Sequence, residues 1–133
     1  MKNRSTSDNI TRVSRNQVFV FGSNESGFHG AGAARMAMNF GAKIGQAEGL
    51  QGLTYAIPTK DKSIELQLTL EEISRYVDRF IEFSKQNPEL TFLVTEIGCG
   101  LAGYTPEQVA PLFTKAVNVE NIHLPHRFWE QLV

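Results

Sequence analysis

The sequence has little with which to crosslink itself, cross a membrane or hold nucleic acid by bulk charge. Cys99 is its one cysteine, which excludes an intramolecular disulfide and points to a reducing compartment. One cysteine and the scattered His29, His123 and His126 give no spacing that a zinc site would use. Thirteen Lys and Arg against fourteen Asp and Glu leave a formal charge of -1, too little to bind polyanions by counterion release. Any anion must therefore be held locally. No stretch approaches the ~20 apolar residues of a membrane span. Residues 1–16 carry charge, Ser and Asn where a secretory signal would carry an apolar core. The expectation is a cytoplasmic protein with no membrane association, no general nucleic-acid binding, no metal and no cofactor.

What is present is ordinary globular material: 41% hydrophobic and 20% charged residues over 133 positions. A chain of this size supports one core, burying roughly two thirds of its unfolded surface. Residues 1–15 read as a flexible or loosely docked N-terminal arm and 16–133 as one α/β domain.

Gln17-Val-Phe-Val-Phe-Gly22 is a continuous apolar, β-rich run stopped by glycine, which predicts a central strand buried on both faces. Ala33–Phe40 favours helix, with Gly41 as its stop. The glycine-rich segment 43–52 reads as a long loop before a strand at Leu53–Ile57, and 60–67 as connective. Thr69 and Glu72 form a capping box for a helix whose Ile73, Tyr76, Val77, Phe80 and Phe83 share a face and which Asn87-Pro88 ends. Leu90–Ile97 is a third strand. Thr105-Pro-Glu-Gln108 opens a third helix with Val109, Leu112, Phe113 and Ala116 as its buried stripe. Asn118–Leu124 supplies a last strand, and His126–Leu132 a helical end packed through Phe128 and Trp129. Strands alternating with helices predict a mostly parallel sheet, and ligands of such sheets bind beyond the carboxyl ends of the strands.

Two glycine-rich loops leave such ends. In the first, Gly22, Gly27, Gly30 and Gly32 allow positive φ and close approach, and the N–H groups of Gly30–Ala34 would form a phosphate cradle with Ala31 and the helix start. In the second, Gly98-Cys-Gly-Leu-Ala-Gly103 (with Cys99, Gly100, Leu101 and Ala102) would form a backbone nest, and Tyr104 would line the cleft or stack. Neither is a known signature alone: Arg35 breaks the G-x-G-x-x-G spacing after Gly30, and no G-K-[ST] follows. Nor is one helix end enough, since it contributes about 0.3–1 kcal/mol whereas micromolar binding needs about 8. The two loops must converge on one site.

Val18–Phe21 followed by Gly-Ser-Asn24 and Gly-x-His-Gly-Ala-Gly-Ala-Ala resembles the strand, Asn-Ala-Ala-Asn element and glycine-rich helix start of the macro domain. Phe92–Pro106 is similar to that family's apolar strand running into its second glycine loop, and Tyr55-Ala-Ile-Pro-Thr59 matches its intervening strand. The likeness covers about residues 17–124. It implies a single-domain, three-layer α/β/α fold that binds an ADP-ribose-like small molecule or an ADP-ribosylated macromolecule. On that likeness Asn24 would face the distal ribose, Gly30–Gly32 and Gly98–Gly103 the diphosphate from two sides, and Tyr104 the ribose end, with Gly22, Ser23 and Gly27 also among the ligand-binding residues. Asp8 would be the only candidate to hold adenine. The departures are Gly22-Ser23 in place of the first Asn-Ala and shortened or missing N-terminal strands.

Two rival activities stay open at this level. One is hydrolysis of ADP-ribosyl esters or ADP-ribose phosphates, with Asn24 orienting ligand or water and His29 carrying a proton. The other is a nucleotide-blind interaction domain whose glycines only make turns. Cys99 reads as a small buried residue or, beside a base, as a nucleophile. Glu96 either pairs in the sheet or faces the cleft. Gln46, Glu48, Gln51 and Arg35 are solvated polar positions or ligand contacts.

Overall fold

The computed structural model of the chain describes residues 4–100 and 103–133, in which six strands and four α-helices follow one another in the order β-β-α-β-β-α-β-α-β-α. The strands are β1 (Ser5–Thr6), β2 (Gln17–Asn24), β3 (Gly49–Gln51), β4 (Thr54–Lys60), β5 (Thr91–Val94) and β6 (Ile122–Pro125). The helices are α1 (Gly32–Ala37), α2 (Leu70–Gln86), α3 (Pro106–Val109) and α4 (His126–Leu132). One six-stranded sheet has the order β1-β6-β5-β2-β4-β3, parallel except for β3, which pairs antiparallel with β4.

β2 is central because both of its faces are apolar. Val18 and Val20 point into a core with Phe80 and Val77 of α2, Phe113 and Phe128 of α4. Phe19 and Phe21 point the other way, into a smaller core with Ala34 and Ala37 of α1, and Phe40 meets Phe19 edge-on. The period-2 alternation of a strand thus feeds two packing layers from four consecutive residues.

The capping box that opens α2 is formed on both sides: the Glu72 amide donates to Thr69 Oγ1 at 3.1 Å and the Thr69 amide to Glu72 Oε1 at 2.9 Å. Thr105 and Gln108 form the second box, at the start of α3. The helix expected to continue from there tightens at once into a 3₁₀ segment over Ala110–Asn118. Pro111 is the cause, since it has no N–H to give to the Glu107 carbonyl and its ring crowds that carbonyl.

Further elements differ from expectation: β4 runs on through Pro58 to Lys60, β5 stops at Val94 rather than Ile97, β6 begins at Ile122 rather than Asn118, and α1 gives way to a 3₁₀ turn at Met38–Phe40. The glycine-rich segment 43–52 is not all loop: Gly49–Gln51 forms the edge strand β3. The polar segment after β4 doubles back, with a bridge between Lys60 and Gln67. The N-terminal arm is tied down, because Ser5 and Thr6 extend the sheet alongside Leu124 and Pro125. No described helix is long and apolar enough to cross a membrane.

Candidate functional site

At the carboxyl ends of β4, β2 and β5 the sheet opens into a cleft of about 360 Å³. Its walls come from three places: Gly22–Asn24, Phe28 and Gly30–Ala34 after β2, Thr59, Lys60 and Ile64 around the end of β4, and Thr95–Cys99 after β5. The two glycine loops meet here. A methyl group added to Gly22 would lie 3.3 Å from Thr59 Oγ1 and 3.6 Å from the Gly98 amide nitrogen.

The glycines serve two different needs. Gly27, Gly32, Gly98, Gly100 and Gly103 have positive φ. Gly22 and Gly30 do not: Gly22 is small so that β4 and the second loop can close on it, and a side chain on Gly30 would overlap the Phe28 ring. Gly27 lies outside the cleft, packed against the Gly45 backbone, where an added Cβ would sit 2.6 Å from the Gly45 carbonyl carbon.

Of the expected site residues, Gly22, Ser23, Asn24, Gly30, Ala31, Gly32, Gly98 and Cys99 line the cleft. Gly100, Gly103 and Tyr104 do not line it. Tyr104 instead donates its hydroxyl to the Leu68 carbonyl at 2.7 Å, fastening the loop to the start of α2. The second loop also spends part of its nest on itself, with the Cys99, Gly103 and Tyr104 amides donating to the carbonyls of Glu96, Gly100 and Gly98. Leu101 and Ala102 lie outside the described residues.

The two expected catalytic side chains are both committed to structure. His29 is buried at 3% exposure, edge-on to Phe21 at 5.1 Å, and is absent from the cleft wall. Its Nε2 lies 3.2 Å from Gln51 Oε1, and that oxygen also accepts from the Lys43 amide at 2.7 Å. The Gln51 amide nitrogen donates to the Gln46 and Gly49 carbonyls, so its oxygen faces the ring and His29 must present Nε2–H to it. A proton carrier needs access to substrate, and His29 has none. Asn24 lies at the cleft, yet its Oδ1 accepts from the Ser26 hydroxyl at 2.6 Å and the Phe28 amide at 3.0 Å, while Nδ2 donates to the Phe28 carbonyl at 2.6 Å.

Cys99 lines the cleft as a half-buried thiol pushed up to about 11, first by burial and then by the Glu96 carboxylate. It is a weak nucleophile at neutral pH. Glu96 faces the cleft and is clamped by Arg127, whose Nε and Nη2 reach its two oxygens at 2.8 and 2.5 Å. Lys60 is the cation on the described wall. The polar candidates of the 43–52 segment are occupied elsewhere: Glu48 pairs with Arg79 at 2.8 Å, Gln46 bonds the Glu48 and Leu50 carbonyls, and Gln51 is buried. Arg35 is exposed on α1, outside the cleft wall.

A second hollow of about 440 Å³ adjoins the cleft and shares Thr95 and Glu96 with it. Asp8, Thr6, Ser7, Pro125, His126 and Arg127 are among its walls. Sequence reasoning missed Phe28, Thr59, Lys60, Ile64 and Thr95 as cleft residues. The available signal was positional, since all but Ile64 stand within a few residues of a strand's carboxyl end, where open α/β sheets bind ligands. No protein-family model, no curated protein and no solved structure matches the chain.

Proposed function

We propose that the protein binds ADP-ribose, or a related phosphate-bearing nucleotide, free or attached to a macromolecule, in the cleft between the loops that follow β2 and β5, within a macro-like three-layer fold. The observation that carries the reading is the convergence of the two glycine loops, with Gly22 in near contact with the Gly98 amide, on one cleft of about 360 Å³. That volume is within the range of small-molecule sites. Phosphate would sit over the α1 end of the cleft, where the backbone of Gly30–Ala33 opens a helix, with Lys60 supplying positive charge and Arg127 neutralising Glu96. The adjoining hollow that includes Asp8 gives the remainder of a dinucleotide-sized ligand room to continue.

Binding is favoured over turnover by two side chains. His29 is sealed into the core, and the Cys99 thiol is held protonated. The nucleotide-blind alternative is separated by calorimetry with ADP-ribose, using Ala33 as the test position. Ala33 is exposed, lines the cleft and sits in the first turn of α1, where an acidic residue is tolerated by the helix. In Ala33→Glu a carboxylate ~5 Å from a bound phosphate costs about 3 kcal/mol at an effective dielectric constant of about 20. ADP-ribose affinity should then fall on the order of a hundredfold, while Ala33→Gln stays within a few-fold of the native chain. Equal affinities in all three proteins, or no heat with any of them, would refute the reading.

A further inference from the structure

We propose that Phe28 is a stacking platform for a planar ring of the bound nucleotide, and that Asn24 is the positioning residue that holds it. The inference rests on the nucleotide reading of the cleft and adds to it the part of the ligand that is recognised.

Phe28 is a large apolar side chain left 53% exposed on a wall of the cleft, where the hydrophobic effect alone would have turned it inward. It is also held in place. The Asn24 side chain bonds both the amide and the carbonyl of Phe28, at 3.0 and 2.6 Å, and is itself steadied by Ser26. Beneath the ring, Gly30 has no side chain, and any Cβ there would overlap the ring. An exposed aromatic group with its backbone clamped and the space below it cleared loses little entropy on stacking.

Ile64 adds a second apolar side chain to the cleft lining, from the loop after β4, 37% exposed and held at φ 70. A β-branched residue avoids that region, and the turn that imposes it is built by Asp61, which accepts from the Ser63 amide and hydroxyl through its carboxylate and from the Ile64 amide through its carbonyl. Two exposed apolar groups on separate loops beside a backbone suited to phosphate match a ligand with one flat unsaturated ring and one anionic part. In ADP-ribose the ring is adenine. In NAD⁺ it is adenine or the nicotinamide on the far ribose.

Proton NMR of ADP-ribose and of NAD⁺, titrated with the native chain, Phe28→Tyr, Phe28→Leu, Asn24→Ala and the double variant Asn24→Ala/Phe28→Leu, tests this. The native chain and Phe28→Tyr should shift one ring's protons upfield, and which ring moves in NAD⁺ identifies the source. Phe28→Leu, which keeps apolar bulk without a ring, should abolish the shift and weaken binding about five- to hundredfold. Asn24→Ala should weaken binding in the native background and add almost nothing in the Phe28→Leu background, an outcome that a merely structural asparagine would not give. Ligand binding with no upfield shift, or with equal affinity in native and Phe28→Leu chains, overturns the platform and leaves the cleft reading standing. No binding by the native chain overturns both.

Discussion

Arg4 is the residue whose removal should reveal how the N-terminal arm is held. Its guanidinium donates to the carbonyls of Ala116 (2.9 Å), Val117 (2.8 Å), Val119 (2.7 Å) and Ile122 (2.9 and 3.0 Å). These carbonyls cluster where the 3₁₀ segment Ala110–Asn118 ends and the chain turns into β6, and those of Ala116 and Val119 also accept the Val119 and Ile122 amides at 3.0 Å. The guanidinium also lies 5.1 Å from the centre of the Trp129 ring, and the Trp129 indole N–H donates to the Arg4 carbonyl at 2.9 Å. A hydrogen bond from a charged donor contributes about 1.5–3 kcal/mol. Here the bonds share one cation and the carbonyls can regain water, so Arg4→Ala should cost about 2–4 kcal/mol in total rather than their sum. For a chain of this length that lowers the melting temperature by on the order of 10 °C. Arg4→Lys should recover only part of it, because an ammonium cannot span a fork of acceptors. Urea unfolding followed by the fluorescence of Trp129, the single tryptophan, reads the loss directly. A midpoint within ~0.5 kcal/mol of the native chain, or Arg4→Lys equal to native, would refute this account of the arm.

Three other outcomes follow from the same contacts. His123 is held below its ordinary value, first by burial and then by the Arg4 charge. The unfolded chain therefore binds the proton more readily, so its contribution to stability is complete above pH ~6.5 and is lost as pH falls from there toward the lower folded value. Unfolding free energies between pH 8 and 5 should show this decline, and His123→Gln should flatten it. Gly27→Ala should destabilise by about 3 kcal/mol or more, since φ is 75 and the new Cβ would sit 2.6 Å from the Gly45 carbonyl carbon; thermal melts within 1 kcal/mol of native would count against it. The Cys99 thiol, raised to about 11, should react with iodoacetamide at a rate that climbs tenfold per pH unit from 7 to 10. A plateau near pH 8 would show instead that a neighbouring group activates the thiol and would refute this reading of Cys99.

The elements with long, regular patterns were legible in the chain. Four apolar, β-rich residues from Val18 to Phe21 stopped by glycine read as a strand covered on both sides, and Thr69 with Glu72 marks the start of α2 to the residue. What escaped detection was short or was fixed by distant partners. β3 is three residues long, begins at Gly49 and is followed by Gly52, both at positive φ, so its ends look like loop and its pairing with β4 is what makes it a strand. β1 is two residues, held by register with β6 and by Arg4. The meeting of the two glycine loops could be expected, because both leave the same edge of a parallel sheet. The direction of each side chain could not: His29 turns inward because Gln51, twenty-two positions away, waits there to accept its proton, and nothing near His29 in sequence signals that.

The same inward turn explains how the first loop is built and what it can do. Its polar side chains bond to the protein: Ser23 to the Ala47 carbonyl, Asn24 to Phe28, Glu25 to the Tyr76 hydroxyl at 2.6 Å, and His29 to Gln51. The Asn24 bonds brace the loop internally and the other three tie it to the 43–52 segment and α2, so these side chains hold the loop without presenting acids or bases to the cleft. What remains on the cleft side is backbone at Gly30–Gly32 and the flat apolar surface of Phe28. Backbone amides and an aromatic face recognise phosphate and ring by shape and by fixed dipoles, with no group that must change protonation. A loop organised for turnover would need at least one titratable side chain aimed at the ligand. Here the candidates are Lys60 from β4, Glu96 paired with Arg127 and a thiol whose pKa is raised, and the proposed binding reading asks of them only charge complementarity to an anion.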